Sequence, residues 1–459
     1  MAYLICYNQA MRPLLLVHLS LALLCLSRLS PADPAVITSP ATLVYPDFWH
    51  TPLGLHRGSP KLLKLMLGDR AVFNDPAGVA CARMREHGEQ SPQITAFGVN
   101  SGAGQIIYNP DMKSLAIFGS EGSGDEHFLN PIGVACLPDG RVAVADSGNH
   151  RIVQLQFKDG LLHWVGSFGV HGKGPGELEE PRWVALDSQG RTYVSDTGNN
   201  RVQVFNPEGR FLFSFGQDQG RNNSLWEPQA IAVVDPLEPY ASEASGAIYV
   251  VDQYHGRIQK FDLNGHFMAQ ASPADAGRAL AYFDGIALDY FNNLWVSDRG
   301  NNQIHKFDQY LQYVDSWGVQ GHDDGQLDSP RGLAIYRHYG QLLVLEKESA
   351  QYLWIGADIK DVKFSKLDEK DGVKLRIDYR LTERATVDCW VENLDKELLV
   401  PLLTKKRLYQ GLQTLLWDGD LANGYRIPAG TYYMVFQAEA SYSSATYFKR
   451  ETRKRFVVR

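Results

Sequence analysis

Cysteine is scarce in this chain. It has 5 Cys in 459 residues, and only Cys81, Cys136 and Cys389 lie beyond residue 32. That is too few for a disulfide framework. With no Cys-x-x-Cys and no Cys/His cluster, a structural zinc site is not expected and no metal residues are assigned. A charge excess of one sign is also missing. The 45 Lys+Arg and 52 Asp+Glu leave a net charge of −7, which argues against a dedicated polyanion binder. The charge is uneven, however. Residues 359–459 carry 19 Lys+Arg against 14 Asp+Glu, a net +5, which leaves −12 for the rest. Such a shift suggests two domains. At 44% hydrophobic and 21% charged, the composition is that of a globular protein.

No apolar run reaches the roughly 20 residues of a membrane span. Residues 14–26 form a shorter one, preceded by Arg12 and followed by Ser30 and Ala32. A basic residue, an apolar stretch and then small residues make an export signal, with cleavage after Ala32. Met11 is an alternative start. The expected location is the periplasm, the cell surface or the extracellular space.

The remainder is repetitive. Pro131-Ile132-Gly133 leads to Asp146, Gly148, Asn149 and Arg151; Pro181-Arg182-Trp183 leads to Asp196, Gly198, Asn199 and Arg201; Asp284-Gly285 leads to Asp298, Gly300, Asn301 and Gln303. Each unit of roughly 50 residues reads as four short strands rich in Val, Ile, Phe and Tyr, broken by Gly, Asn and Asp. Four strands per repeat of this length indicate a propeller blade. Units starting at Pro76, Pro131, Pro181, Pro228, Phe283 and Pro330 predict six blades. The last unit lacks a fourth strand. Residues 62–68 are expected to supply it and close the ring, which protects both sheet edges.

These Asp-x-Gly-Asn-x-Arg runs and Pro-x-Gly starts resemble the NHL repeat family. The resemblance covers residues 61–357. It is strong at Asp146/Arg151 and Asp196/Arg201 and looser at Asp252/Arg257. Elsewhere Gln303 stands for the Arg, Glu346 and Gln351 stand at the two positions, and Gly98 is aligned with the Asp. From Lys360 the period stops. Residues 375–381 and 385–391 alternate as half-buried strands. Trp417-Asp418-Gly419 and the turn to Gly430-Thr431-Tyr432 resemble the Ig-like domain of the flagellar hook-capping family, a module of many exported bacterial proteins. The expected organisation is thus all-β: a leader at 1–32, a linker at 33–60, a six-bladed propeller at 61–357 and a small antiparallel sandwich at 359–459.

The pairs Asp146/Arg151, Asp196/Arg201 and Asp252/Arg257 are read as structural, because a catalytic pair is not installed several times around a ring. Candidate ligand contacts lie where each innermost strand begins, at the mouth of the central channel. Those positions are Ala77, Ile132, Arg182, Gln229, Asp284 and Arg331, with Trp183 in the place of a Gly. Arg182 and Arg331 suit an anionic group, since guanidinium pairs bidentately with carboxylate or phosphate. With no catalytic constellation found, the expectation is a monomeric, non-catalytic scaffold. Its propeller face would bind a protein, peptide or glycan, and its sandwich would be a spacer or attachment module. No cofactor and no nucleic-acid partner are expected. The alternative is a metal-dependent lyase or hydrolase at the channel mouth. Some NHL-like propellers are zinc lyases, but none of the six mouth positions is His.

Overall fold

The computed structural model describes residues 35–37, 42–46 and 56–458, save 87–88, 92, 112–113, 218–222, 239–245, 277–279, 370–371 and 443–447. The expected leader lies outside the described residues.

The chain is a six-bladed β-propeller followed by an antiparallel β-sandwich. Blades 1 to 5 are four-stranded antiparallel sheets in sequence order. Blade 2, for example, runs Pro131–Cys136, Arg141–Asp146, Arg151–Lys158 and Leu161–Phe168. The innermost strands follow one another round the ring, and that of blade 6, Leu333–Tyr336, packs back on that of blade 1, Pro76–Ala82. Glycine is needed where these strands converge. A Cβ at Gly78, Gly285 or Gly332 would lie 2.4, 2.1 or 2.3 Å from the carbonyl oxygen of Ile132, Arg331 or Ala77 on the next blade. The Pro-x-Gly starts are therefore a packing requirement of the channel wall. Between blades the filler is aromatic: Tyr193, Phe205, Tyr249, Phe261 and Phe307 are all but fully buried. Each contributes about 1.5–3 kcal/mol of hydrophobic stabilisation.

Blade 6 is completed differently from the expectation. Residues 62–68 are not a strand: Pro60–Leu67 is an α-helix. Ser59 caps it, accepting from the Leu62 N–H at 3.3 Å, and Pro60 occupies the first turn. Leu63 and Leu67, one turn apart, face inward against blade 1. The outer strand of blade 6 comes from the segment expected to be a linker. Leu43–Val44 and Arg57–Gly58 both pair antiparallel with Ala350–Ile355. Farther upstream, Ala35–Ile37 pairs parallel with the last strand, Phe448–Val458. The stretch at 33–60 thus binds both domains. The basic C-terminal stretch is a strand of the sandwich, paired along its length with Gly430–Ala440.

The sandwich has a five-stranded sheet, completed by Ala35–Ile37, and a three-stranded sheet of Ile359–Glu369, Gly372–Leu381 and Gly411–Trp417. Ile377, Val387, Cys389, Met434 and Phe436 fill the space between them. Its contact with blade 5 is polar and buried. Lys306, 2% exposed, pairs with Glu383 and lies 3.5 Å from Asp289. It also donates to the Thr382 carbonyl at 3.3 Å. Tyr442 donates to Glu383 at 3.1 Å. Burial pushes the Glu383 carboxyl up to about 7, against the pull of Lys306.

Candidate functional site

The turn that carries each Asp is built the same way in all six blades. One carboxylate or amide oxygen accepts the N–H of the residue that leads into the blade. The acceptors are Asp146 (from Leu129, 2.7 Å), Asp196 (from Glu179, 2.7 Å), Asp252 (from Trp226, 2.8 Å) and Asp298 (from Tyr282, 3.0 Å). Asn100 and Glu346 do the same in blades 1 and 6, at 2.7 and 2.9 Å. Asn100, not Gly98, is therefore the counterpart of the Asp: it pairs with Pro76 as Asp146 pairs with Pro131. The other carboxylate oxygen holds the Arg, at 2.8 Å for Arg151, 2.6 Å for Arg201 and 2.7 Å for Arg257. Each Arg then reaches the loop before its blade. Arg201 donates to the carbonyls of Lys173, Gly174 and Glu177 at 2.9–3.0 Å. These pairs fasten the loops before their blades.

Blade 6 has no Arg of its own at this point. Arg57, from the N-terminal segment, takes the role. It lies 3.4 Å from Glu346 and donates to the carbonyls of Asp323 and Gln326 at 3.2 and 3.3 Å.

At the channel mouth the inner strands bring Ala77, Ile132, Arg182, Gln229, Asp284 and Arg331 round one cavity of about 170 Å³, with Trp183 in its wall. Trp183 and Gln229 are buried, and the Asp284 side chain is 14% exposed. Three further residues complete the site: Asp75, Asn130 and Arg299. Asp75 and Asn130 precede the first residue of their blades in left-handed backbone, φ 56° and 49°. Arg299 follows Asp298 in a turn, where blades 1 to 4 have Ser101, Ser147, Thr197 and Gln253 and blade 6 has Lys347. The signal for it was an Arg at a repeat position that is uncharged in blades 1 to 4.

The charges are arranged unequally. Arg331 lies 2.5 Å from Asp75, and Arg299 lies 3.5 Å from Asp284 while stacking on Tyr282 at 4.8 Å. Arg182 has no hydrogen-bond or ion-pair partner among the described residues. The Nε of Arg331 is buried without an acceptor. Burial pushes the Asp284 carboxyl above its usual range, although Arg299, Arg331 and Arg182 all pull it down. Three guanidinium groups face two carboxylates. The site can therefore accept an anion on Arg182, beside a carboxyl inclined to hold a proton.

The same inventory does not suit a divalent cation. Each mouth carboxylate already faces an Arg, and the other oxygen donors are the Asn130 and Gln229 amides. Among the described residues no three His, Cys, Asp or Glu side chains come together as metal ligands. His305 is buried beneath Phe283, with its Nε2 3.1 Å from Asp298. His150 and His255 sit in the turns of blades 2 and 4.

In sequence, residues 128–155 and 178–205 match the NHL repeat. No functionally curated protein matches the chain. Among solved structures it is similar to virginiamycin B lyase from Staphylococcus aureus (14% identity, TM-score 0.40, covering 57% of this chain and 76% of that one). A gluconolactonase from Xanthomonas campestris gives 16% identity and a TM-score of 0.43, covering 70% and 98%. An aldose sugar dehydrogenase from Streptomyces coelicolor gives 14% and 0.41, covering 63% and 97%. At these identities the likeness concerns the fold. The expectation of a non-catalytic binding scaffold is corrected here: the three solved propellers just named are enzymes.

Proposed function

We propose that the chain is an exported hydrolase or lyase that acts on a small anionic substrate at the channel mouth. One observation carries the reading: the buried Asp284 carboxyl sits among three Arg, one of which, Arg182, has its guanidinium unpaired among the described residues. In this reading Arg182 binds the substrate's carboxylate or phosphate, where a bidentate pair fixes orientation. Asp284 gives or takes the proton at the reacting atom, its raised pKa bringing it closer to the working pH. Arg331, anchored by Asp75, faces the charge that develops on oxygen. Gln229 and Trp183 form a rigid buried wall that restricts water. No step is routed through a metal, because the donors present do not fit one. The export part of the proposal rests on residues 12–32. The finer resemblance of the sandwich to the Ig-like hook-capping module rests on Trp417-Asp418-Gly419 and the turn that follows.

The test is hydrolysis of 4-nitrophenyl hemisuccinate, with neutral 4-nitrophenyl butyrate as the comparison, together with 4-nitrophenyl glucuronide for cleavage at a sugar acid. The expected result is turnover that prefers the anionic compounds. It should fall about 10²–10⁴-fold in Asp284→Asn, and KM should rise in Arg182→Ala. Turnover of any of these compounds unchanged in Asp284→Asn, or no turnover of the whole set by the native chain, would overturn the assignment.

A further inference from the structure

Away from the mouth, a second cavity lies between blades 6 and 1, beneath the helix Pro60–Leu67. Its volume is about 180 Å³. It exists because blade 1 breaks the repeat at one position. In the second strand, the residue that pairs with Val79 is Gly98. The same position is Val in the other five blades: Val144, Val194, Val250, Val296 and Val344. All five Val side chains are buried. Nothing in the backbone demands glycine here, since Gly98 is not among the positive-φ residues. A Cβ on it would meet nothing closer than 3.7 Å, at Leu345 and the Ile107 carbonyl. The space is thus left open by the side chain chosen and not by the path of the chain.

The lining is mostly aliphatic, with Leu63, Val79, Leu115 and Leu345 contributing. Its polar side chains are already engaged elsewhere. Asn100 and Asn109 each accept a backbone N–H at 2.7 Å and donate to a carbonyl at 2.8 Å. Gln351 bonds Glu346, the Gln326 carbonyl and Tyr45. Tyr108 accepts the Leu162 N–H at 3.3 Å, and Tyr352 takes part in bonds to Gln341 and Trp354. His56 is held by Asp324 at 3.1 Å. The Asn100, Asn109 and Gln351 amides are thus spent on the protein itself, and most of the remaining wall is apolar. Apolar cavities of about 150 Å³ stay dry and take up benzene or xenon.

We propose that this cavity is a binding site for an uncharged, apolar molecule or group the size of a single benzene ring, with Gly98 as the residue that makes room for it. The proposal is independent of the chemistry at the mouth.

Thermal unfolding of the full chain in benzene-saturated buffer tests it. The native chain should gain about 1–2 °C in Tm. Gly98→Val should show no gain, and Arg182→Ala should keep it, which separates this site from the mouth. A crystal of the native chain under xenon pressure needs no variant and should show xenon in the cavity beside Gly98. No gain with benzene, a gain that persists in Gly98→Val, or no xenon at that place would each overturn the proposal.

Discussion

Replacing Lys306 by Met probes the joint between propeller and sandwich. The ammonium is 2% exposed and the Glu383 and Asp289 carboxylates facing it are fully buried. Removing the ammonium leaves two buried carboxylates side by side. Breaking a buried pair in this way costs about 3–5 kcal/mol. The cost depends on pH, because Glu383 can escape its charge by taking a proton. Its folded pKa is already about 7, mainly through burial, against an ordinary value of 4.5. Between those values the folded state holds more protons than the unfolded one, so stability is greatest below the lower value and falls as pH rises towards 7. For the native chain that fall amounts to about 3 kcal/mol between pH 4.5 and 8. Lys306→Met raises the folded pKa further and so costs more at pH 8 than at pH 5. The double variant Lys306→Met/Glu383→Leu removes one carboxylate and recovers most of the loss. Urea unfolding at both pH values, followed by tryptophan fluorescence, measures this. A loss below about 1 kcal/mol at pH 8, equal losses at both pH values, or no recovery in the double variant would refute the reasoning.

Asp196→Ala strips Arg201, Asn199, Gln203 and the Glu179 N–H of one shared acceptor. Denaturant unfolding should show a loss of about 3–5 kcal/mol, whereas Arg376→Ala, which breaks an exposed pair with Asp378, should stay within about 0.5 kcal/mol. Asn100→Asp replaces an amide that donates to the Val72 carbonyl at 2.8 Å with a group that cannot, and should cost about 1–3 kcal/mol in the same assay. Arg299→Leu withdraws the largest influence lowering the Asp284 pKa. Carboxyl-carbon NMR should find Asp284 titrating at higher pH than in the native chain, and an unchanged titration would argue against the arrangement at the mouth.

What could be read in the sequence was what the chain does locally. Asp146 and Arg151 are five residues apart and joined across one turn, so the repeat displays both. The six positions that open the inner strands share a register and converge on one cavity by symmetry. Four features did not follow from the local pattern, for physical reasons. Arg57 meets Glu346 across 289 residues, a distance over which no pattern carries. Residues 62–68, apolar in all but Lys64 and Gly68, resemble the closing strands of the other blades, and only Ser59-Pro60 ahead of them marks a helix. An inserted hairpin, Arg85–Glu86 with Glu89–Gln90, lengthens the first turn of blade 1 and moved the alignment from Asn100 to Gly98. Arg299 lies outside the strand-start register, in a turn that faces the same mouth.

The placement of Arg57 bears on the order in which the molecule is assembled. The ribosome makes Ala35–Ile37, Leu43–Val44 and Arg57–Gly58 well before their partners, Phe448–Arg450 and Ala350–Ile355. A chain folding as it emerges must carry this segment unpaired while five blades form. Until it docks, blade 6 has an open outer edge, and the loop at Asp323 and Gln326 lacks the guanidinium that fastens it. Open edges invite pairing with other chains. Fastening of the sixth blade therefore waits on a residue that lies 289 positions upstream of its partner Glu346.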